Sequence, residues 1–381
     1  MRAAPKFLRA IGAIFAVSIL FAVAASAQQP PPMPGKTAEQ VYKNIQVLRG
    51  LPADLVFPEM RLFAGALGGN CEFCHVAGDT SKDDKITKRT ARQMIVMVMT
   101  LNKTSFGGKT DVTCYTCHRG SSQPVTEAVL PTVERSPEEL EEKPALPSVE
   151  AILTKYIQAL GGETAIRKVS SRLIMGTQTI PTGGGGRISV SAQLERYIKA
   201  PNLLLNVYHA DKFTISDGFD GTSAWSQDAK CAVSSPGSFD LVRAKRNADL
   251  YGALKVKQEY GSLDVVQMEK VNNHDTYVLQ ASPQNSGVVE KLYFDAQTGL
   301  LLRTLMLQPT PLGNFPSEVD YDDYRGTGSG VKVPFLVSTT PALTSTALAT
   351  TSTLRVEKVQ DNVTIGDGKL VRPQPRSAPA Q

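Results

Sequence analysis

"TKRTARQMIVMVMTLNKTSFGGKTDVTCYTCHRG", residues 87–120, joins a periodic apolar run, a glycine-bearing break and the pentapeptide Cys-Tyr-Thr-Cys-His. The run as far as Asn102 is the longest helical candidate in the chain, and "KTSFGGKTD" leaves it as a loop. The same order occurs upstream. "FPEMRLFAGALGGN" reads as a helix opened near Pro58 and stopped by Gly68-Gly69, directly ahead of "CEFCH" at 71–75. Before it, "TAEQVYKNIQVL" carries Thr37 and Gln40 at capping-box spacing, with Ala38, Val41, Ile45 and Leu48 on one helical face. Residues 36–123 therefore read as an all-α domain.

Downstream the texture changes. "PVTEAVLPTVERSPEELEEKPALP", 124–147, holds five prolines and six glutamates and reads as an extended linker. "SVEAILTKYIQALGG" follows as an amphipathic helix with Val149, Ile152, Leu153, Tyr156, Ile157 and Leu160 on one face and Gly161 at its end. Strands dominate afterwards. "RISVSAQL" alternates Ile188, Val190, Ala192 and Leu194, and "KLYFDAQTGLLLRTLML" reads as a hairpin with Gly299 at positive φ. "GGGG" at 183–186 is a turn between strands, since no Lys and helix follow as a phosphate loop needs. The expected fold class is α + β and multidomain: an N-terminal all-α domain, then, over 148–370, a C-terminal antiparallel β half-barrel with a packed helix.

The chain has 381 residues, 41% hydrophobic and 20% charged, ordinary values for folded domains. Its formal charge of +5 comes without a basic block, which argues against nucleic acid as a partner. Arg2, Lys6 and Arg9, the apolar run "IGAIFAVSILFAVAA" and Ala25-Ser26-Ala27 together read as a signal peptide over 1–27. "QQPPPMPG" follows as a Pro-rich leader. Export to the periplasm is the expectation, with membrane association left open.

Four of the five cysteines, Cys71, Cys74, Cys114 and Cys117, sit in the paired motifs; Cys231 stands alone and reads as an inert thiol. Disulfides, a redox dithiol and a shared zinc site are the competing readings. A two-residue gap is a strained disulfide loop, a redox pair needs no histidine, and zinc on four cysteines leaves both histidines unexplained. CxxCH places two thiols and an axial imidazole on one porphyrin, so two covalently attached c-type haems are expected, with His75 and His118 as iron ligands.

The sixth ligand decides between electron transfer and catalysis. His209 and His274 fall in the strand-rich half and read as ordinary polar residues. Met60 stands ahead of Cys71 on the preceding helix, and Met94, Met97 and Met99 stand ahead of Cys114, with Met94 and Met97 sharing a face. Met60, and either Met94 or Met97, are the candidates. Phe73 and Tyr115 are placed to pack on the rings, and Arg119 to meet a propionate; plain packing or solvation explains each equally well.

"ARQMIVMVMTLN…VTCYTCHRG" resembles the cytochrome c subunit of photosynthetic reaction centres, over roughly residues 36–123. In that family each unit is a helix, a turn and CxxCH, with a helix methionine as sixth ligand in most units. The resemblance implies Met94 rather than Met97, with Asn102 near the helix end, and Met60 in the equivalent place of the first unit. Well-known members carry four haems, whereas two motifs are present here. The loop before the second motif lacks the family's histidine, and the lipid-anchoring cysteine is absent. The strand-rich half, through "YIQALGGETAIRKVSS", "GFDGTSAW" and "YFDAQTGLLLR", resembles lipoprotein-carrier-like domains. That implies a hydrophobic ligand, with Phe219 and Trp225 as lining residues or as ordinary core aromatics.

The expected function is periplasmic electron transfer by a non-enzymatic dihaem cytochrome, with redox proteins, a membrane electron-transfer complex or a reaction centre as partner. A dihaem peroxidase-like enzyme and a hydrophobic-ligand carrier or sensor are the alternatives.

Overall fold

A computed structural model describes residues 35–126 and 146–374, apart from 183–187, 212, 236–237, 284–288, 341–350 and 367. The expected signal peptide and leader, most of the linker and the GGGG turn lie outside the described residues.

The N-terminal part is helical. It comprises α1 (Ala38–Val41), a single 3-10 turn at Ala53–Leu55, α2 (Val56–Leu67), α3 (Cys71–Cys74), α4 (Ile86–Ser105) and α5 (Cys114–His118). The stop after α2 is as the sequence implies: Gly68 takes the left-handed conformation, φ +65°. The amphipathic run after Thr37 does not form the helix its periodicity suggests. One arm of the capping box forms, Thr37 N–H donating to Gln40 Oε1 at 3.0 Å, but Tyr42 is already extended and Asn44 has φ +59°. Backbone pairing wins instead. Ala38 N–H donates to Leu51 O at 2.7 Å and Ala53 N–H to Lys36 O at 2.9 Å, closing the segment into a loop. An isolated helix this short is marginal, so two non-local bonds suffice to override it. Ala38 and Leu48 are nonetheless buried in one cluster with Leu51, Val56, Ile95 and Val98.

In the C-terminal part, α6 (Val149–Ala159) and α7 (Glu163–Arg167) precede β1 (Ser171–Thr182), β2 (Ile188–Lys199), β3 (Leu203–Ala210), β4 (Phe213–Asp220), β5 (Ala224–Gln227) and β6 (Val233–Ser234). Two further helices, α8 (Ser238–Ala248) and α9 (Gly252–Glu259), then interrupt the strands; the single packed helix expected from sequence is joined by these. The chain continues through β7 (Tyr260–Val271), β8 (His274–Pro283), β9 (Val289–Asp295), β10 (Leu301–Thr310), β11 (Gly313–Gly326), β12 (Lys332–Thr340) and β13 (Ser352–Asp361).

All thirteen strands form one antiparallel sheet in the order β6-β5-β4-β3-β2-β1-β13-β12-β11-β10-β9-β8-β7. It is two meanders zipped along β1 and β13, with Arg172 opposite Asp361 at one end of the seam. Flat, thirteen strands span roughly 55–60 Å, while α8 and α9 cover roughly 30 Å end to end. Since those helices link one outer strand, β6, to the other, β7, the sheet has to curl. The expected curved antiparallel sheet is present. Inside it, α6 buries Ile152, Leu153, Tyr156 and Leu160 against Leu279, Leu292, Phe294 and Val333. Tyr156 meets Phe294 edge-on at 5.1 Å.

The two parts share a core. The β10–β11 turn carries Leu312, 2% exposed, into the N-terminal cluster beside Ile95 and Val98.

Candidate functional site: two cysteine turns with preset imidazoles

Each CxxC forms one helical turn, α3 and α5. Residues three apart on a helix share a face, so the two thiols of each pair project to the same side. Both turns are capped locally. Asn70 accepts the Phe73 N–H at 3.1 Å, and Thr113 N–H donates to Thr116 Oγ1 at 3.0 Å. All four thiols are free. Burial pushes the Cys74 and Cys114 thiols above the usual range, so both stay protonated at neutral pH.

The histidines are oriented alike. His75 Nδ1 lies 3.0 Å from Thr80 O, and His118 Nδ1 lies 3.0 Å from Ser121 O. A carbonyl only accepts, so Nδ1 carries a proton in both rings, and the neutral form of each ring presents its lone pair at Nε2. That tautomer is the one a metal-ligating histidine adopts. Burial holds the His75 pKa below its ordinary value, and the Lys88, Arg92 and Lys85 charges act in the same sense. A ligand must be neutral, and His75 is.

The methionine-bearing helices pack crosswise. α2 lies against α5, and α4 against both α3 and α5. Gly68 sits under the second turn: Gly120 N–H donates to Ala66 O at 2.9 Å, and a Cβ on Gly68 would come 2.0 Å from Gly120 O. Asn102, in the last turn of α4, bonds both ways with Val112, at 2.8 and 3.0 Å, and so fixes the approach to α5. Met60 is half-buried against the N-terminal cluster. Met94 and Met97 are 37% and 50% exposed on α4, whose buried stripe is Lys88, Ile95, Val98 and Asn102.

Apolar side chains crowd the surface around the two turns. Of fourteen large hydrophobic residues exposed among those described, ten fall between Phe73 and Val125, including Phe73, Tyr115, Met94, Met97 and Met99. A surface of this kind suits a flat apolar group seated against it. Paired thiols, imidazoles each fixed through Nδ1 and this apolar surround together fit haem. They do not fit shared zinc: among the described residues no three His, Cys, Asp or Glu side chains gather at metal-binding distance.

Other sequence candidates lie elsewhere. His209 faces Thr214 Oγ1 at 3.3 Å on β3, and His274 pairs with Asp295 at 2.8 Å on β8. Phe219 and Trp225 are each 2% exposed, in separate core clusters of the sheet. Arg119 is exposed, in the left-handed conformation that ends α5.

Two residues escaped sequence reasoning. Glu59, wholly buried on α2, stands between the hairpin tip and Cys114. Burial pushes its carboxyl up to about 7, while the Thr310 hydroxyl and the Leu312 amide pull it the other way. Lys88, on the buried stripe of α4, donates to Thr80 O, Ser81 O and Lys82 O at 3.0, 3.1 and 2.7 Å. Its seven-residue spacing from Ile95 was the available signal.

Two CxxCH turns, each with its imidazole fixed through Nδ1, form a site of the kind c-type cytochromes use. Residues 15–150 match the family described as the photosynthetic reaction centre cytochrome c subunit, to which this part of the chain is similar. The subunit from Thermochromatium tepidum is 36% identical over 94 residues, 24% of this chain and 23% of that protein. The subunit from Roseobacter denitrificans is 34% identical over 143 residues, 31% of this chain and 38% of the relative. The chain thus spans between about a quarter and two fifths of the relatives' length. Among solved structures, a DUF1329 family protein from Desulfovibrio piger matches 58% of this chain and 97% of its own at 12% identity, TM-score 0.43. A LolA superfamily protein from Nitrosomonas europaea matches 59% and 98% at 11% identity, TM-score 0.41.

Proposed function

We propose that this protein is an exported dihaem cytochrome that carries electrons and makes no bond at iron. Cys71 and Cys74 would anchor one haem and Cys114 and Cys117 the other, with His75 and His118 as axial ligands. Met60 and Met94 are the proposed sixth ligands, which close the iron to substrates. Haem supplies a one-electron iron couple; the chain anchors it, excludes water with residues such as Phe73 and Tyr115, and tunes it through ligands and burial. A redox protein or a membrane electron-transfer complex of the reaction-centre kind is the proposed partner. No described helix is long and apolar enough to cross a membrane. The proposed divisions are a signal peptide over 1–27, a haem domain over 36–123, a linker over 124–147 and the sheet domain over 148–370.

The observation that carries this reading is the matched pair of Nδ1 bonds, which leaves Nε2 of both histidines free beside a thiol pair. Intact mass with a reduced spectrum of the mature protein tests it. Two haem additions and low-spin reduced bands are expected; a mass lacking them overturns the proposal. Rapid carbon monoxide binding at one reduced haem would favour an enzyme with an open iron instead.

A further inference from the structure

The two imidazoles accept the same restraint from different surroundings. Ser121 O, the partner of His118, belongs to a tight turn closed by backbone bonds: Ser121 N–H to His118 O at 2.9 Å and Gly120 N–H to Ala66 O at 2.9 Å. Thr80 O, the partner of His75, belongs to a longer loop held by side chains of α4. Lys88 Nζ donates to three successive carbonyls there and pairs with Asp83 Oδ1 at 2.9 Å. Arg92 Nη1 reaches Asp83 Oδ2 at 2.8 Å, and Arg89 Nη1 donates to Asp83 O at 2.7 Å. The Lys88 side chain is 10% exposed, so solvent screens it weakly.

Thr80 O is thus shared. It accepts His75 Nδ1–H at 3.0 Å and Lys88 Nζ–H at 3.0 Å. The ammonium therefore stands no more than two hydrogen-bond lengths from the imidazole. A cation on that carbonyl draws its lone-pair density away from the ring N–H. The ring is left a weaker donor through Nε2, and partners of this kind set ligand basicity. A weaker donor and a nearby positive charge both favour the reduced state of iron, which carries one positive charge fewer.

We propose that Lys88 is a positioning residue for His75 that sets the haem held there at a higher reduction potential than the haem held at His118. The inference rests on the dihaem reading above and gives it a direction: electrons enter through the second motif and collect at the first. Asp83 moderates the effect, because it is the anion paired with Lys88.

The test uses the full mature protein, first checked for two haem additions by mass; their absence sinks the dihaem reading rather than this inference. Spectroelectrochemical titrations of wild type, Lys88→Met, Lys88→Arg and Asp83→Asn then follow. The higher-potential wave is expected to shift to lower potential in Lys88→Met and to higher potential in Asp83→Asn, the lower one staying in place; a shift confined to the lower wave overturns the proposal. Lys88→Arg restores the wild-type wave, since a guanidinium also donates to carbonyls. Amide exchange across 80–83 rises in Lys88→Met and not in Lys88→Arg. Should Lys88→Met fail to mature, Asp83→Asn and Lys88→Arg decide the matter. Waves that stay put, move together, or shift the same way in Lys88→Met and Asp83→Asn overturn the proposal.

Discussion

His75 gives its Nδ1 proton to the carbonyl of Thr80, 3.0 Å away and five residues on. The bond settles the tautomer before any ligand arrives. His118 reaches the same state with Ser121. Replacing either histidine by alanine should leave the neighbouring thiols able to form thioethers while removing one axial ligand. His75→Ala and His118→Ala should each keep two haem additions by mass but convert about half of the low-spin absorption to high-spin. Reduced-minus-oxidised spectra read this directly; unchanged low-spin intensity would remove the histidines from the ligand set.

Gly68 lies three residues before Cys71, yet its close contact is with the second motif. With φ +65° and Gly120 O 2.0 Å from a would-be Cβ, Gly68→Ala should cost at least about 2 kcal/mol. Attachment should fall at Cys114 and Cys117 more than at Cys71 and Cys74. Peptide mapping of haem-bearing fragments distinguishes the two pairs.

Glu59 links pH to stability. Its folded pKa of about 7 lies above the ordinary carboxylate value because of burial. Between roughly pH 4.5 and 7 the unfolded chain is therefore ionised while the folded one still holds the proton. The folded state binds more protons there, so stability falls as pH rises through this window and levels off above it. The total is on the order of 3 kcal/mol. Denaturant titrations of the haem-free chain and of Glu59→Gln at pH 5 and pH 8 should show this loss as the difference between the two proteins, since the depressed His75 pKa and the other titrating groups act equally in both.

Leu312 belongs to the sheet by sequence and to the helical core by contact. Leu312→Ala should cost about 2–5 kcal/mol, as for other buried leucines. The loss should appear first in the helices of residues 38–118, through faster amide exchange in α4, while the α6 core with Tyr156 and Phe294 keeps its protection.

Much of the α-helical part was legible from sequence. α2 and α4 followed their periodicity, and Gly68 stopped the first as glycines do, because caps and amphipathic faces are local. The segment after Thr37 was not, since its helix is too short to outweigh the bonds Ala38 and Ala53 make across the loop. Helices α8 and α9 were overlooked among strands, where a short apolar pattern has no distinctive period. The seam between β1 and β13, nearly two hundred residues apart, has no local signature at all.

By itself the sequence determined the two cysteine turns: CxxCH spacing places both thiols on one side of a single helical turn, and that geometry needs nothing from the rest of the chain. Tertiary structure alone decided what surrounds them. The acceptors of both Nδ1 protons are backbone carbonyls, which every residue possesses and no residue type announces. Lys88 reaches the Thr80 carbonyl only because α4 packs beside the loop, and Leu312 completes the helical core only because a distant hairpin arrives there. Local spacing dictates which chemistry is available, while long-range packing sets the field in which it operates.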